Sequence, residues 1–242
     1  MPRMRADLLI VARGLAESRA KARAAIEAGG VSANGAVVVR PSDLIDEDAV
    51  LEVAQPHPWV SRGGVKLAAA LDAFHIDPAN RVCLDVGAST GGFTHVLLSR
   101  GAARVYAVDV GRDQLHASLR ADPRVVSLEQ TDARTLTRTL IPEPPSLIVC
   151  DASFIGAAKV LTTPFALAAD RADAIVLIKP QFEAGPKAGR DGVLDEATAR
   201  AAGQAAIDRL DGLERFRAIA SIDSPIRGGD GNLERLAYLK RD

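Results

Sequence analysis

The stretch Asp85-Val86-Gly87-Ala88-Ser89-Thr90-Gly91-Gly92 closes an apolar run that begins at Val82 and opens onto Phe93. A strand, a glycine-bearing turn and a helix in that order form the ligand-binding corner of doubly wound α/β sheets, at the carboxyl edge of the strands. Working outward, apolar runs recur at Val105 to Val110, Val125 to Leu128, Leu147 to Cys150 and Ala174 to Ile178. Helical stretches separate them at Gly92 to Arg100, Asp113 to Arg120, Gly156 to Ala169 and Glu196 to Leu213. Such alternation predicts a mostly parallel sheet covered on both faces. Phe216 to Ile222 and Leu233 to Leu239 have no helix between them, so they are expected to pair antiparallel. The expected class is α/β, a Rossmann-like doubly wound sheet with a small α+β module ahead of it.

The loop by itself announces a nucleotide-sized ligand. Asp109 ends the second strand, where it can accept hydrogen bonds from a ribose diol, and Asp132 follows the third, where it can accept from an adenine amino group. A dinucleotide-dependent dehydrogenase is the rival. Against it, Ser89 replaces the second glycine that would let backbone approach a pyrophosphate, and no hydride-transfer constellation follows. An acid after each of the first four strands (Asp85, Asp109, Asp132, Asp151) fits a sulfonium cation without phosphates, which is S-adenosyl-L-methionine. Any one of these aspartates could be an ordinary helix cap. The expected cofactor set is Asp85, Gly87, Ala88, Ser89, Thr90, Gly91, Gly92, Phe93, Asp109, Asp132 and Asp151. No metal site is expected.

At 242 residues the chain can hold one large domain and one small one. With 48% hydrophobic and 25% charged residues, and 30 basic side chains against 31 acidic, the composition argues for a globular protein and against disorder. Cys83 and Cys150 both lie in apolar runs and form no disulfide framework, which fits a reducing cytoplasm. No apolar run reaches the ~18 residues of a membrane span, and the Arg-bearing start lacks the apolar core of a signal peptide.

Before the large domain, Asp7 to Arg13 and Ser18 to Ala28 read as helices, the second closed by Gly29-Gly30. Val31 to Ala33 and Ala36 to Val39 flank Asn34-Gly35, a hairpin signal, and Ala49 to Ala54 alternates as a further strand. Over residues 1 to 40, the basic Arg3, Arg5, Arg13, Arg19, Lys21, Arg23 and Arg40 face only three acids. That excess suits phosphates, although a solvated helix surface would carry the same charges. Gly14-Leu15-Ala16-Glu17-Ser18-Arg19 with Ala25-Ile26-Glu27-Ala28-Gly29-Gly30-Val31-Ser32-Ala33-Asn34-Gly35 resembles the αL-motif RNA-binding domain, in which the second helix and hairpin dock on folded RNA. Gln55-Pro56-His57-Pro58 ends regular structure. Residues 1-55 are therefore expected to be the RNA-binding module, 56-65 the connection and 66-242 the methyltransferase domain, with Trp59 packing at the junction.

Four polar residues stand where this fold would gather them, each expected at an element edge: Lys66, Asp151, Lys179 and Glu234. They fall within Trp59-Val60-Ser61-Arg62-Gly63-Gly64-Val65-Lys66-Leu67, Asp151-Ala152-Ser153-Phe154-Ile155, Leu177-Ile178-Lys179-Pro180-Gln181-Phe182-Glu183 and Gly228-Gly229-Asp230-Gly231-Asn232-Leu233-Glu234. With the cofactor loop, these stretches resemble the hemolysin A (TlyA) family, whose FtsJ-type domain methylates a ribosomal RNA 2'-hydroxyl. The resemblance implies a Lys66, Asp151, Lys179, Glu234 catalytic tetrad, ribosomal RNA or ribosomal subunits as partner, and a cytidine target. Because nothing follows the last strand beyond Asp242, the large-subunit RNA is the favoured target, with the small-subunit RNA left open.

A ribose hydroxyl is a poor nucleophile and needs a positioned base, or stabilisation of its alkoxide, to attack the sulfonium methyl in line. Lys179 is expected in that role, with Lys66, Asp151 and Glu234 setting its protonation and orientation. Asp151-Ala152-Ser153-Phe154 replaces the Asp-Pro-Pro-aromatic loop of adenine N-methylation. A non-catalytic RNA-binding assembly factor is the alternative, which would have no need of the tetrad. Direct membrane lysis finds no long apolar or cationic amphipathic helix to support it.

Overall fold

The structure, a computed structural model, describes residues 2–27, 30–53, 57–184, 193–228 and 231–242. Ala28, Gly29, Ala54, Gln55, Pro56, Gly229 and Asp230, which carry parts of the expected helix cap, connection and last motif, lie outside them. The chain divides into two compact units, Met1–Pro58 and Trp59–Asp242.

The first unit runs β1 (Arg3–Arg5), α1 (Ala6–Ala12), α2 (Arg19–Glu27), β2 (Val31–Ala33), β3 (Ala36–Val37), β4 (Leu44–Asp46) and β5 (Leu51–Val53). Asn34 and Gly35 both take positive φ, 50° and 80°, as a two-residue hairpin turn demands. β3, β2 and β5 form one antiparallel sheet, and β1 pairs with β4 in a second. That second ribbon was not expected: its three-residue strands carry no apolar alternation, and Arg3 meets Asp46 directly across it. Ala6, Leu9, Ile10, Ala22, Ile26, Val31, Val38 and Ile45 build the core of this unit.

The second unit continues with α3 (Gly63–Phe74), β6 (Val82–Val86), α4 (Gly92–Ser99), β7 (Arg104–Val108), α5 (Ala117–Arg120), β8 (Val125–Leu128), β9 (Leu147–Cys150), α6 (Ala157–Ala166), β10 (Ala172–Ile178), α7 (Pro180–Glu183), α8 (Glu196–Leu210), β11 (Arg217–Asp223) and β12 (Arg235–Arg241). Seven strands form one sheet in the order β11-β12-β10-β9-β6-β7-β8. The five strands from β6 to β10 run parallel, and β12 inserts antiparallel between β10 and β11. Strand order reverses at β6, which lies between β7 and β9, so the ligand crevice of such a sheet falls at the carboxyl ends of β6 and β9.

Alternation along the strands sorts two cores. Leu84, Val86, Tyr106, Ile148, Val176 and Ile178 face α6 and α8, whereas Cys83, Val105, Leu147, Val149, Ile175 and Leu177 face α3 and α4. Being covered on both faces is why these strands read as continuous apolar runs.

Two expectations are corrected. Gly63, Gly64 and Val65, read as connecting chain, form the first turn of α3, and Lys66 lies on its buried side rather than at an element edge. Consecutive glycines are poor helix formers, which hid the helix. Gly64 is nonetheless demanded, because a Cβ there would overlap the Trp59 ring. The helix expected from Asp113 shortens to α5, since the Glu129 carboxylate accepts the N–H groups of Asp113, Gln114 and Leu115 and holds them in a turn with Asp113 at φ 52°.

Candidate active site

The sheet register brings the tetrad together. Ile178 pairs with Arg235, so Lys179 and Glu234 are the next residues on neighbouring strands. Val176 pairs with Cys150 and Cys150 with Val86, which sets Asp151 at the adjoining strand end, its N–H bonded to Val86 O at 2.9 Å. Four polar groups thus meet at the carboxyl edge of β6, β9 and β10.

They are arranged as two ion pairs. Lys179 Nζ lies 2.6 Å from Asp151 Oδ1 and donates to Ser153 Oγ at 2.7 Å. Lys66 Nζ bonds Glu234 Oε2 with both side chains buried, at 10% and 2% exposure. α3 connects the pairs, because the Cβ position of Gly63, one turn before Lys66, lies 3.6 Å from Asp151 Oδ2. Burial of an ion pair costs several kcal/mol per charge in desolvation, so such pairs are kept for placement more than for stability.

Beside them stands the cofactor loop. Asp85 is fully buried, and its Oδ2 accepts the Thr94 hydroxyl at 2.7 Å while Oδ1 has no partner among the described residues. Burial, with the Asp151 and Asp109 carboxylates adding to it, pushes Asp85 up to about 7. Asp109 accepts the N–H groups of Ser89 (2.8 Å) and Gly111 (2.7 Å), leaving one lone pair on each oxygen. Asp132 behaves differently: it caps a 3-10 turn and bonds Arg134 through both oxygens, which holds its carboxyl below the usual range.

The glycines of the loop turn out to serve the chain itself. A Cβ on Gly87, at φ 81°, would lie 2.9 Å from the Asp151 carbonyl oxygen, and one on Gly92 would strike Ser61 Oγ. Ala88 and Phe93 belong to the core packed beneath the loop, and Thr90 accepts the His116 N–H at 3.1 Å. The donor set therefore suits S-adenosylmethionine in one particular respect: three carboxylates, one with a buried open oxygen, crowd a site that a cation would relieve.

In the first unit every basic side chain singled out in the sequence has a partner. Arg5 and Arg19 both bond the fully buried Asp7, which together hold its carboxyl at about 2. Arg3 pairs with Asp46, Lys21 with Glu17, Arg23 with Glu27 and Arg40 with Asp43, while Arg13 donates to the carbonyls of Glu47 and Ala49.

Comparison with known proteins gives the geometry a family. The FtsJ-like methyltransferase family matches residues 59–241 and the S4 domain residues 4–51. A 16S/23S rRNA (cytidine-2'-O)-methyltransferase TlyA of Mycobacterium tuberculosis is 45% identical, covering 98% of this chain and 90% of that protein. The chain belongs to the TlyA family of FtsJ-like methyltransferases. Another relative, named hemolysin A, from Brachyspira hyodysenteriae, is 41% identical over 98% of this chain and 99% of its own length. A solved structure from Streptococcus thermophilus, named as a hemolysin, superposes with a TM-score of 0.74 at 37% identity, covering all of this chain and 89% of that one. No helix among the described residues is long and apolar enough to cross a membrane, and no group of three or more metal-ligating side chains is found among them.

Around these four residues, sequence reading passed over Ser153, the second partner of the Lys179 amine, and Gly228, whose Cβ position lies 2.7 Å from Glu234 Oε1. Both sit inside stretches quoted for the resemblance, but nothing in their residue type marks them. Asp7 was read as the start of a helix and as one of three acids against seven bases, and its burial beneath two arginines has no sequence signal.

Proposed function

We propose that this protein transfers a methyl group from S-adenosyl-L-methionine to a cytidine ribose 2'-hydroxyl of ribosomal RNA, with the S4-type unit holding the RNA. The observation that carries the reading is the meeting of Lys179–Asp151 and Lys66–Glu234 at the strand ends beside the carboxylate-rich loop. The TlyA relative's name supplies the acceptor class.

S-adenosylmethionine, when bound, supplies an electrophilic methyl on a sulfonium. Asp85, Asp109 and the loop backbone would hold it, and Asp132 could reach an adenine only if Arg134 gave up its place. Lys179 does the work on the acceptor. Its amine, fixed by Asp151 and Ser153, is aimed from a rigid strand end, so its charge can stabilise an alkoxide as the O–H bond breaks and the O–CH3 bond forms. The Asp151 carboxylate beside it offers the departing proton a first acceptor. Lys66 and Glu234, buried and mutually neutralised, hold α3 against β12 and shape the wall of the site.

Labelled S-adenosylmethionine incubated with purified small and large ribosomal subunits, followed by mapping of the product, tests this. Methyl on a cytidine ribose is expected; methyl on a base overturns the assignment. Lys179→Ala should lower transfer by about 10²-fold or more while leaving cofactor affinity unchanged. Retained turnover would remove Lys179 from the mechanism.

A further inference from the structure

Glu183 ends α7, one turn after Lys179, and its side chain is only 6% exposed. Its Oε1 accepts the Ala157 N–H at 2.7 Å, and its Oε2 is bonded by the Arg209 guanidinium of α8 at 2.6 Å. Ala157 is the first residue of α6, whose N-cap, Gly156, makes no side-chain cap of its own. A Cβ on Gly156 would press on Glu183 Oε2 at 3.3 Å, so the missing side chain leaves room for the carboxylate. The glutamate therefore caps α6 from another element, where negative charge suits the exposed N–H groups of a helix start.

The consequence lies in what these two elements carry. The segment Asp151 to Ile155 runs from the end of β9 into α6 and bears Asp151, ion-paired with Lys179, and Ser153, whose Oγ accepts from Lys179 Nζ. Lys179 itself leads into α7. β9 and β10 pair only up to Cys150 and Val176; beyond that register β10 is held on its other side by β12 through Ile178, and no strand ladder joins the 151–155 loop to the lysine. Phe154, at φ 65°, meets Phe182 at 5.1 Å between ring centroids, an exposed contact across the same gap. Glu183 is the buried one.

We propose that Glu183 is a positioning residue for the reaction, clamping α7 to the first turn of α6 and so fixing Lys179 against Asp151 and Ser153. This rests on the 2'-O-methyltransferase reading of that site. Lysine has a long flexible stem, and small displacements of a reacting group are costly to rate, so a clamp one turn away acts on kcat more than on binding.

Wild type, Glu183→Ala, Glu183→Gln and Arg209→Ala, as full-length chains, are compared by methyl transfer to ribosomal subunits, cofactor dissociation constant and unfolding midpoint. The rate of Lys179 acylation by an N-hydroxysuccinimide ester, followed by mass spectrometry, provides a readout independent of the acceptor. Glu183→Ala is expected to lose about ten- to hundredfold in kcat, with KM for RNA and the cofactor constant within about twofold, and to expose Lys179 to faster acylation. Glu183→Gln, which can still accept the Ala157 N–H, should recover most of both. Should Glu183→Ala fail to fold, Arg209→Ala carries the test, with a smaller loss in the same direction. Folded Glu183→Ala or Arg209→Ala with wild-type kcat and wild-type acylation overturns the proposal. A wild type that leaves ribose unmethylated overturns the 2'-O reading instead, and Lys179 acylation then decides the clamp alone.

Discussion

Asp85 concentrates the tension of the site in one carboxyl group. Its pKa in the folded chain, about 7, stands above the ordinary 3.8 because burial penalises the charge. A raised value means that its contribution to stability is complete below pH 3.8 and is lost as pH rises through 7. Asp85→Asn, which cannot ionise, is therefore expected to be more stable than wild type above pH 7, the difference vanishing toward pH 4. Urea unfolding across that range checks it, and a pH-independent difference would show that Asp85 is ionised throughout. The same carboxyl links to the proposed cofactor. A sulfonium favours ionised Asp85, so S-adenosylmethionine should release protons on binding between about pH 6 and 7, more than its uncharged-sulfur product does. Calorimetry in buffers of different ionisation heat measures this; equal release for the two ligands would place the cationic sulfur away from Asp85.

Elements differ in how much of them the residues announce. The β6, β9 and β10 runs were legible because a strand covered on both faces must be apolar throughout, and the loop after β6 was legible because glycine and aspartate cluster there. α3 was not, since it starts on two glycines whose justification is the Trp59 ring. Nor was the division of four tetrad residues into two pairs, which depends on the β10–β12 register and on a helix that was not foreseen. Gly64→Ala separates propensity from packing at that element. Alanine is the better helix former by about 1 kcal/mol, yet here its methyl overlaps Trp59. Net destabilisation of roughly 1–3 kcal/mol is expected from urea titration. A stabilised variant would mean that Trp59 moves aside freely and does not hold the start of α3.

At the scale of the whole molecule, the matched S4 and FtsJ-like stretches cover residues 4–51 and 59–241, and the two units divide anchoring from chemistry in the proposed function. Charge makes that division measurable. Seven basic side chains in the first unit were read as a phosphate face, but six of them are bonded to acids of the same unit, and Arg13 to backbone carbonyls. An arginine already paired releases no new counterion unless its carboxylate is displaced. If all seven met phosphates freely, log Kobs for RNA would fall with log salt at a slope of about −5 to −6. Over residues 1–58 eight acids face these seven bases, so with the six pairs intact only Arg13 is left to act and the expected slope is about −1. Asp7→Asn sharpens the distinction, because Asp7 alone occupies Arg5 and Arg19. Removing its charge should steepen the slope by about 1 to 2 while costing the unit roughly 1–3 kcal/mol, as two arginines lose a buried charged partner. Filter binding of rRNA fragments to both proteins over a salt series reads the first quantity and urea unfolding the second. An Asp7→Asn slope equal to wild type would show that Arg5 and Arg19 face away from the RNA, leaving the phosphate contacts to Lys21 and Arg23 further along α2 and to the hairpin.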